Sequence, residues 1–129
     1  MAEKEKLPEM KPVVWIGDTR RVVKKFPKIV KRTVGRALEL AQLGEKHPAS
    51  KPWKGEGPGL FEIVEDDQGS TYRAVYTVRF GDVVYALYAF QKKSKQGIKT
   101  PQQDVENIRQ RLQIARKLYE ESHGQKKRS

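Results

Sequence analysis

The sequence predicts an α+β fold whose small sheet is largely antiparallel. Residues 71–80 alternate in side-chain character, which is typical of a strand with one buried face. Two other segments, 28–43 and 101–119, carry apolar side chains at helical spacing instead. Because the strands cluster after the first helices and do not alternate with them, this order favours an antiparallel sheet over a parallel βαβ sheet.

The predicted elements begin with a short strand and a short helix. Residues 12–16 form an apolar run, which indicates a buried strand, and Gly17 ends it. Asp18 is suited to cap a helix that continues to about Phe26. Pro27 then interrupts the helix, because proline lacks the backbone N–H that a helix interior needs.

A longer second helix and a loop follow. The apolar stripe of this helix consists of Ile29, Val30, Val34, Ala37, Leu38 and Ala41. Gly44 predicts its C-terminal end. Residues 47–59 are rich in proline and glycine, which predicts a loop, and residues 60–65 then predict a strand with a turn at 66–70.

The next two strands are predicted to form a hairpin. Gly81 followed by Asp82 favours a two-residue type II′ turn, which would place Phe80 opposite Val83. With that register, one face would pack against the helices and carry the side chains of Tyr85, Leu87 and Ala89. The other face would carry a patch away from the main core, formed by Arg73, Tyr88, Phe90 and Lys92.

The last predicted element is a helix that starts near residue 100. Thr100 would cap it, Pro101 would occupy its first position and Gln103 would complete a capping box. Its apolar stripe consists of Val105, Ile108, Leu112, Ala115 and Tyr119.

The length of 129 residues predicts a single domain. We expect this domain to span residues 12–121, with a flexible tail at 1–11 and a basic tail at 122–129. No apolar run is long enough to span a bilayer, and the N-terminal residues do not resemble a signal peptide. We therefore expect a cytoplasmic protein without a membrane partner.

The charge of the chain points to a polyanionic partner. Lys and Arg total 27 against 16 acidic residues, for a net charge of +11, which favours binding to nucleic acid or another polyanion. The chain has no cysteine, and its two histidines, His47 and His123, are far apart in the sequence. We therefore expect neither a metal site nor a cofactor.

The patch on the hairpin suggests RNA chemistry. Bases of single-stranded RNA stack on aromatic rings while cations hold the phosphates. Glu62 is expected on the same face, where it could act as a general base for 2′-hydroxyl attack. The expected RNA contacts are Lys51, Lys54, Arg79, Phe90, Lys95 and Lys99. The alternative is structural, with Tyr88 and Phe90 buried under the loop that contains Trp53 and Arg73 bonded to Glu62.

Several segments resemble the phage-derived, HigB-like branch of the RelE toxin superfamily. They are the strand 71–80, the strand and basic segment 84–95, and the Lys-Thr-Pro sequence at 99–101. Residues 60–67 and the Trp-Ile-Gly sequence at 15–17 also fit this pattern. The resemblance covers roughly residues 12–120 and implies a RelE-like fold.

The resemblance implies the toxin of a type II toxin–antitoxin system. Such toxins cut mRNA in the ribosomal A site by 2′-hydroxyl attack, without a metal. Their partners are mRNA, the ribosome and a helix-turn-helix antitoxin, and they contact operator DNA only through the complex with that antitoxin.

The same resemblance assigns roles to individual residues. Arg73 matches the arginine of the family's Tyr-Arg-x-x-Tyr strand, which contacts a phosphate or the transition state. Lys92 and Lys93 match the basic pair after the last strand. The catalytic candidates are thus Arg73, Lys92, Lys93, Tyr88 and Glu62. The chain departs from family patterns at Glu62, where RelE has a lysine, and at Tyr88, where close relatives often have histidine.

Two other functions remain open from the sequence. The chain could be a non-catalytic module that binds RNA or DNA, or a protein-interaction domain with a basic surface. A fold by itself does not decide between these functions.

Overall fold

The computed structural model describes residues 9–93 and 100–128, except for the side chains of Lys93 and residues 124–128. The elements of these residues are, in order, β1 (Val13–Trp15), α1 (Thr19–Lys24), α2 (Lys28–Gln42), β2 (Ser50–Pro52), β3 (Leu60–Asp67), β4 (Ser70–Thr77), β5 (Val84–Lys93) and α3 (Gln102–Arg128). The strands form one sheet in the order β1-β5-β4-β3-β2. Only β1 and β5 are parallel among these pairs of neighbours. The predicted α+β class and order of helices are confirmed.

The sheet has one strand that the sequence did not reveal. β2 lies within the predicted loop 47–59 and pairs antiparallel with β3, with Lys51 opposite Glu62. The prediction of a loop was wrong here because Lys51 and Pro52 are both exposed and show no apolar alternation. A proline is tolerated at this place because β2 is an edge strand.

The turn between β3 and β4 is a tight two-residue turn. Asp67 pairs with Ser70, and the two residues between them, Gln68 and Gly69, have φ angles of 47° and 84°. Positive φ at both positions is typical of a type I′ turn, which matches the twist of the flanking strands. β3 is therefore two residues longer than predicted.

The register of β4 against β5 changes at a β-bulge. Val75 pairs with Tyr88 as predicted, but Tyr76 pairs with Ala86, so that Leu87 is an extra residue on β5. The bulge reverses the predicted faces of Tyr85 and Leu87. The backbone carbonyl of Leu87 accepts hydrogen bonds from Thr19 Oγ1 at 3.0 Å and from Arg111 Nη1 at 3.2 Å.

The connection between β4 and β5 is a turn of a different type from the one predicted. The N–H of Val83 donates to the carbonyl of Phe80 at 3.0 Å, so a turn is present at Gly81 and Asp82. Gly81 does not have the positive φ that a type II′ turn requires, and that prediction was wrong. The paired part of β4 ends at Thr77, before this turn.

One face of the sheet, called here the α2 face, packs against α1 and α2. The predicted stripe of α2 is buried in this core except for Ile29, which is exposed. Tyr76 and Ile63 from the sheet meet that stripe. Complete burial of one such aliphatic side chain contributes about 1.5–3 kcal/mol to folding.

The opposite face, called here the α3 face, carries a second core. All five residues of the predicted stripe of α3 belong to it, together with Val75, Tyr85 and Leu87 from the sheet. Helix α3 itself begins at Gln102, one residue later than predicted. The N–H groups of Asp104 and Val105 donate to the carbonyl of Pro101, so Thr100 is not the cap.

The ends of the described chain differ from the predicted tails. Lys11 is attached to the end of α2, since its N–H donates to the carbonyl of Gln42 at 3.0 Å. Helix α3 continues through the predicted C-terminal tail to Arg128. In the described part of the chain, no helix is both long and apolar enough to cross a membrane.

Candidate nucleic-acid interface

Arg73, Phe90 and Lys92 lie together on the α3 face of β4 and β5. Arg73 pairs directly with Phe90, and Thr71 pairs with Lys92. Residues directly opposite each other in an antiparallel sheet share a face, and diagonal neighbours are close enough for long side chains to meet. The predicted register is confirmed in this part of the hairpin because the bulge lies beyond it.

Glu62 joins this group from β3 and forms an ion pair with Arg73. Arg73 Nη1 donates to Glu62 Oε1 at 2.5 Å. The two side chains are only 14% and 16% exposed. Arg73 Nε is buried and has no hydrogen-bond partner among the described residues. The positive charge of Arg73 is therefore neutralised by a neighbour in the resting protein.

The aromatic side chains of the group are more buried than the sequence suggested. Phe90 is 9% exposed, and its ring lies 5.6 Å from the ring of Tyr88, centroid to centroid. The expected exposed stacking surface is therefore not present in the resting protein. The hydrogen bond between Arg73 and Glu62 and the burial of Phe90 agree with the structural alternative, whereas Tyr88 is only half-buried.

The hydroxyl of Tyr88 is bound by helix α3. It donates to Asp104 Oδ1 at 2.7 Å and accepts from Asn107 Nδ2 at 3.0 Å. The guanidinium of Arg111 lies 5.0 Å from the centroid of the Tyr88 ring, within the range of a cation–π contact. Burial raises the pKa of Tyr88, and the hydrogen bond to Asp104 raises it further. A pKa lowered by nearby cations, the condition for Tyr88 to act as a strong general acid, is not met here.

We expect the buried tyrosines to make folding sensitive to high pH. Burial also raises the pKa of Tyr76 and of Tyr85. The folded state then holds these protons more tightly than the unfolded state, so stability is present below about pH 10 and falls as the pH rises above it. Urea unfolding at pH 8 and at pH 11 should show a lower free energy of unfolding at pH 11, and the difference should be smaller for Tyr88→Phe than for the unmodified chain. Equal differences in the two proteins would mean that Tyr88 does not contribute to the pH dependence.

An open cleft of about 610 Å³ lies beside the ion pair, at the β2 side of the sheet. Its described lining consists of Lys51, Pro52, Trp53, Lys54, Glu62, Thr100 and Val105. Two predicted RNA contacts, Lys51 and Lys54, thus share this cleft with Glu62. The indole Nε1 of Trp53 is buried, and no other described residue forms a hydrogen bond with it. The volume is within the range of pockets that bind small ligands.

Other predicted contacts lie elsewhere. Lys92 is 8% exposed and so presents little of its side chain to solvent. The side chain of Lys93 and the whole of Lys95 and Lys99 lie outside the described residues. Their predicted roles remain predictions.

Arg79 holds the loop between β2 and β3. Its Nε donates to the carbonyl of Pro58 at 2.9 Å, and its Nη2 donates to the carbonyl of Glu56. Gly59 has a φ of 88°, and a Cβ on it would lie 3.1 Å from Arg79 Cβ. Because Arg79 is held by this loop, it does not join the group around Arg73. These contacts do not support the predicted contact of Arg79 with RNA.

Sequence reasoning did not anticipate the polar side chains of α3 that meet the sheet. Asp104, Asn107 and Arg111 are separated by three and four residues, so they follow one side of the helix. That spacing, directly beside the apolar stripe, was a signal that they would be partly buried. Within the described part of the chain, no three His, Cys, Asp or Glu side chains are grouped to hold a metal.

Two solved structures are similar to this chain. The toxin–antitoxin complex RelBE2 of Mycobacterium tuberculosis shares 21% identity, covers 64% of this chain and 92% of its own, and has a TM-score of 0.43. The isolated RelE toxin of E. coli shares 18% identity, covers 78% of this chain and 97% of its own, and has a TM-score of 0.48. Comparison with curated proteins gives no match.

Residues 21–113 match the family described as phage-derived protein Gp49-like (DUF891). This stretch extends from α1 into α3 and includes the Arg73–Glu62 pair, the cleft lysines and Lys92. The resemblance drawn from the sequence is thus confirmed at the level of a phage-derived family. Because the match covers most of its length, the chain belongs to the family of phage-derived Gp49-like proteins.

Proposed function

We propose that this chain is the toxin of a type II toxin–antitoxin system and that it inhibits translation by cutting mRNA. One observation carries the proposal: Arg73, Lys92 and Glu62 lie on one face of the sheet, beside a cleft that bears two further lysines. The cations of this group are suited to bind a phosphate. Membership of the Gp49-like family and the resemblance to RelE-type toxins support it.

The proposed chemistry is attack of a ribose 2′-hydroxyl on the adjacent phosphorus. Glu62 takes the proton from the 2′-hydroxyl, and Arg73 and Lys92 stabilise the negative charge that develops on the phosphorane. The bond to the 5′-oxygen then breaks, and the leaving oxygen takes a proton. A lysine of the pair Lys92 and Lys93 suits this last role better than Tyr88, because the hydroxyl of Tyr88 is occupied by α3.

This chemistry requires the pair of Arg73 and Glu62 to separate. An RNA phosphate can compete with the carboxylate because both are anions that offer two oxygen acceptors to a guanidinium fork. Once displaced, the carboxylate of Glu62 is free to accept a proton from a 2′-hydroxyl. Binding of the substrate would thus create both the phosphate contact and the base.

The remaining partners follow from the same proposal. Lys51 and Lys54 contact the mRNA from the cleft, and Phe90, Lys95 and Lys99 are further candidate contacts. The ribosome presents the mRNA, and a helix-turn-helix antitoxin neutralises the toxin in the cytoplasm. Operator DNA is contacted only through that complex.

Brief expression of the full chain without an antitoxin tests the proposal directly. We expect growth and protein synthesis to stop within minutes, and new 5′ ends to appear inside the coding regions of mRNAs. A pair of reporter mRNAs that differ only in the start codon provides the control, since ribosome-dependent cleavage should affect only the translated one. Normal growth without new ends would contradict the proposal.

The buried ion pair favours a second candidate, a module that binds RNA without cutting it. In that case Arg73 and Glu62 would have a structural role only. Expression would then slow translation without producing new mRNA ends. End mapping therefore separates the two functions.

A further inference from the structure

The outer surface of α1 and α2 carries the densest positive charge in the described chain. Between residues 19 and 38 the sequence has eight of the 27 basic side chains and none of the 16 acidic ones. This short segment therefore accounts for most of the net charge of +11. None of these residues contributes to the group around Arg73.

Most of these cations are exposed and have no acidic partner in the described residues. The six that lack an ion pair there are Arg20, Lys24, Lys25, Lys28, Lys31 and Arg32, called here the basic helix surface. All six are exposed. Arg21 and Arg36 are paired, with Asp18 at 3.9 Å and Glu39 at 2.7 Å.

The basic helix surface lies on the opposite side of the sheet from Arg73. The apolar stripe of α2, including Val30 and Val34, is buried against the α2 face of the sheet, so Lys28, Lys31 and Arg32 point outward. Arg73 lies on the other face, which α3 covers. One molecule could therefore contact RNA on two sides at once.

The residue types of this surface indicate which kind of ligand it binds. Single-stranded RNA is usually bound by stacking on exposed aromatic rings, but Phe26, the aromatic residue between α1 and α2, is buried. An anionic membrane would be bound by inserting an apolar helix face, but that face of α2 is packed in the core except for the single exposed residue Ile29. What remains is contact with a phosphate backbone.

The shape of the surface favours an RNA double helix over a DNA one. The apolar stripe of α2 packs on the sheet from Val30 to Ala41 and α1 contacts α2, so the exposed cations are spread over two neighbouring helices and not along a single helix of the width that the major groove of B-form DNA admits. A broad basic surface suits the wide, shallow minor groove of A-form RNA and the phosphates on either side of it. We propose that the basic helix surface binds the backbone of double-helical RNA, independently of the cleavage proposed for the opposite face.

Binding of the full chain to a blunt RNA duplex, measured by fluorescence anisotropy over a range of salt concentrations, tests this proposal. The test variant Lys28→Gln/Arg32→Gln removes two exposed cations from α2. The matched control Arg116→Gln/Lys117→Gln removes two exposed cations from α3. We expect the test variant to bind about tenfold more weakly at low salt, with a salt slope that is smaller by about 1–2.

The other arms of the experiment decide what the surface recognises. Equal losses of duplex affinity in both double variants would mean that only the net charge of the chain matters. No loss of affinity in the test variant would mean that the surface makes no contact with the duplex. Either result overturns the proposal. Equal binding to a DNA duplex of the same sequence, or stronger binding to phosphatidylserine vesicles, would also overturn it. Duplex binding with no mRNA cleavage in cells would leave this inference standing while the proposed function failed.

Discussion

Replacing Arg73 with methionine should lower the free energy of unfolding by about 3–5 kcal/mol and abolish mRNA cleavage. The loss of stability is expected because Glu62 would keep a carboxylate that is only 16% exposed, without its partner. The loss of cleavage is expected because Arg73 is the proposed phosphate contact. Urea unfolding measures the first effect, and mRNA end mapping measures the second.

A double variant separates the two effects. In Arg73→Met/Glu62→Leu both charges of the ion pair are removed, and replacing such a pair by apolar side chains is often neutral for stability. We expect most of the lost stability to return while cleavage stays absent. If cleavage returned together with stability, Arg73 would have only a structural role. Arg36→Met is the matched control, since its pair with Glu39 is largely exposed and should cost about 1 kcal/mol or less.

The variant Glu62→Gln addresses the competition between the carboxylate and RNA. An amide can still accept a hydrogen bond from Arg73, but it no longer holds the guanidinium by charge. Binding to an RNA that lacks the attacking 2′-hydroxyl should therefore become tighter, while cleavage of normal RNA falls. Unchanged binding would mean that the pair does not restrain Arg73.

Much of the fold could be predicted because the helices and the long strands have regular periodicity. The stripes of α2 and α3 identified almost every residue that the helices bury, and the alternation in β4 placed Arg73 and Val75 on the same face. β2 could not be found in the same way. It has three residues, two of which are exposed, so the pairing with β3 is its only distinguishing feature.

The error in the hairpin has a clear physical origin. A register counted from the turn at Gly81 and Asp82 does not include the extra residue of the bulge, and alternation does not locate that residue because Leu87 and Tyr88 are both apolar enough to occupy a buried face. Beyond the bulge, toward Lys92, the predicted pairs are correct. The candidate site is largely buried because the apolar stripe of α3 covers the second face of the sheet, and the periodicity of that stripe does not indicate which face it covers. A small sheet cannot accommodate three apolar helix stripes on one side.

The bulge at Leu87 is stabilised by side chains that are distant in the sequence. The backbone carbonyl of Leu87 accepts hydrogen bonds from Thr19 and Arg111. Arg111 also donates a hydrogen bond to Thr19 Oγ1 at 3.0 Å. The second guanidinium nitrogen of Arg111 lies 2.9 Å from Asp18 Oδ1. One side chain of α3 therefore joins the start of α1, the bulge in β5 and the ring of Tyr88.

We expect Arg111→Met to lower the free energy of unfolding by about 2–4 kcal/mol, because it leaves buried carbonyls short of donors while keeping the packing of the side-chain stem. Thermal unfolding should show a fall in Tm on the order of 10 °C. Arg116→Met is the control, since Arg116 lies on the same helix, is exposed and has no ion pair among the described residues. Arg111→Lys should recover less than half of the loss, because a lysine cannot reach several acceptors with one rigid fork. Full recovery by lysine would mean that Arg111 acts through its charge alone and not by holding the bulge.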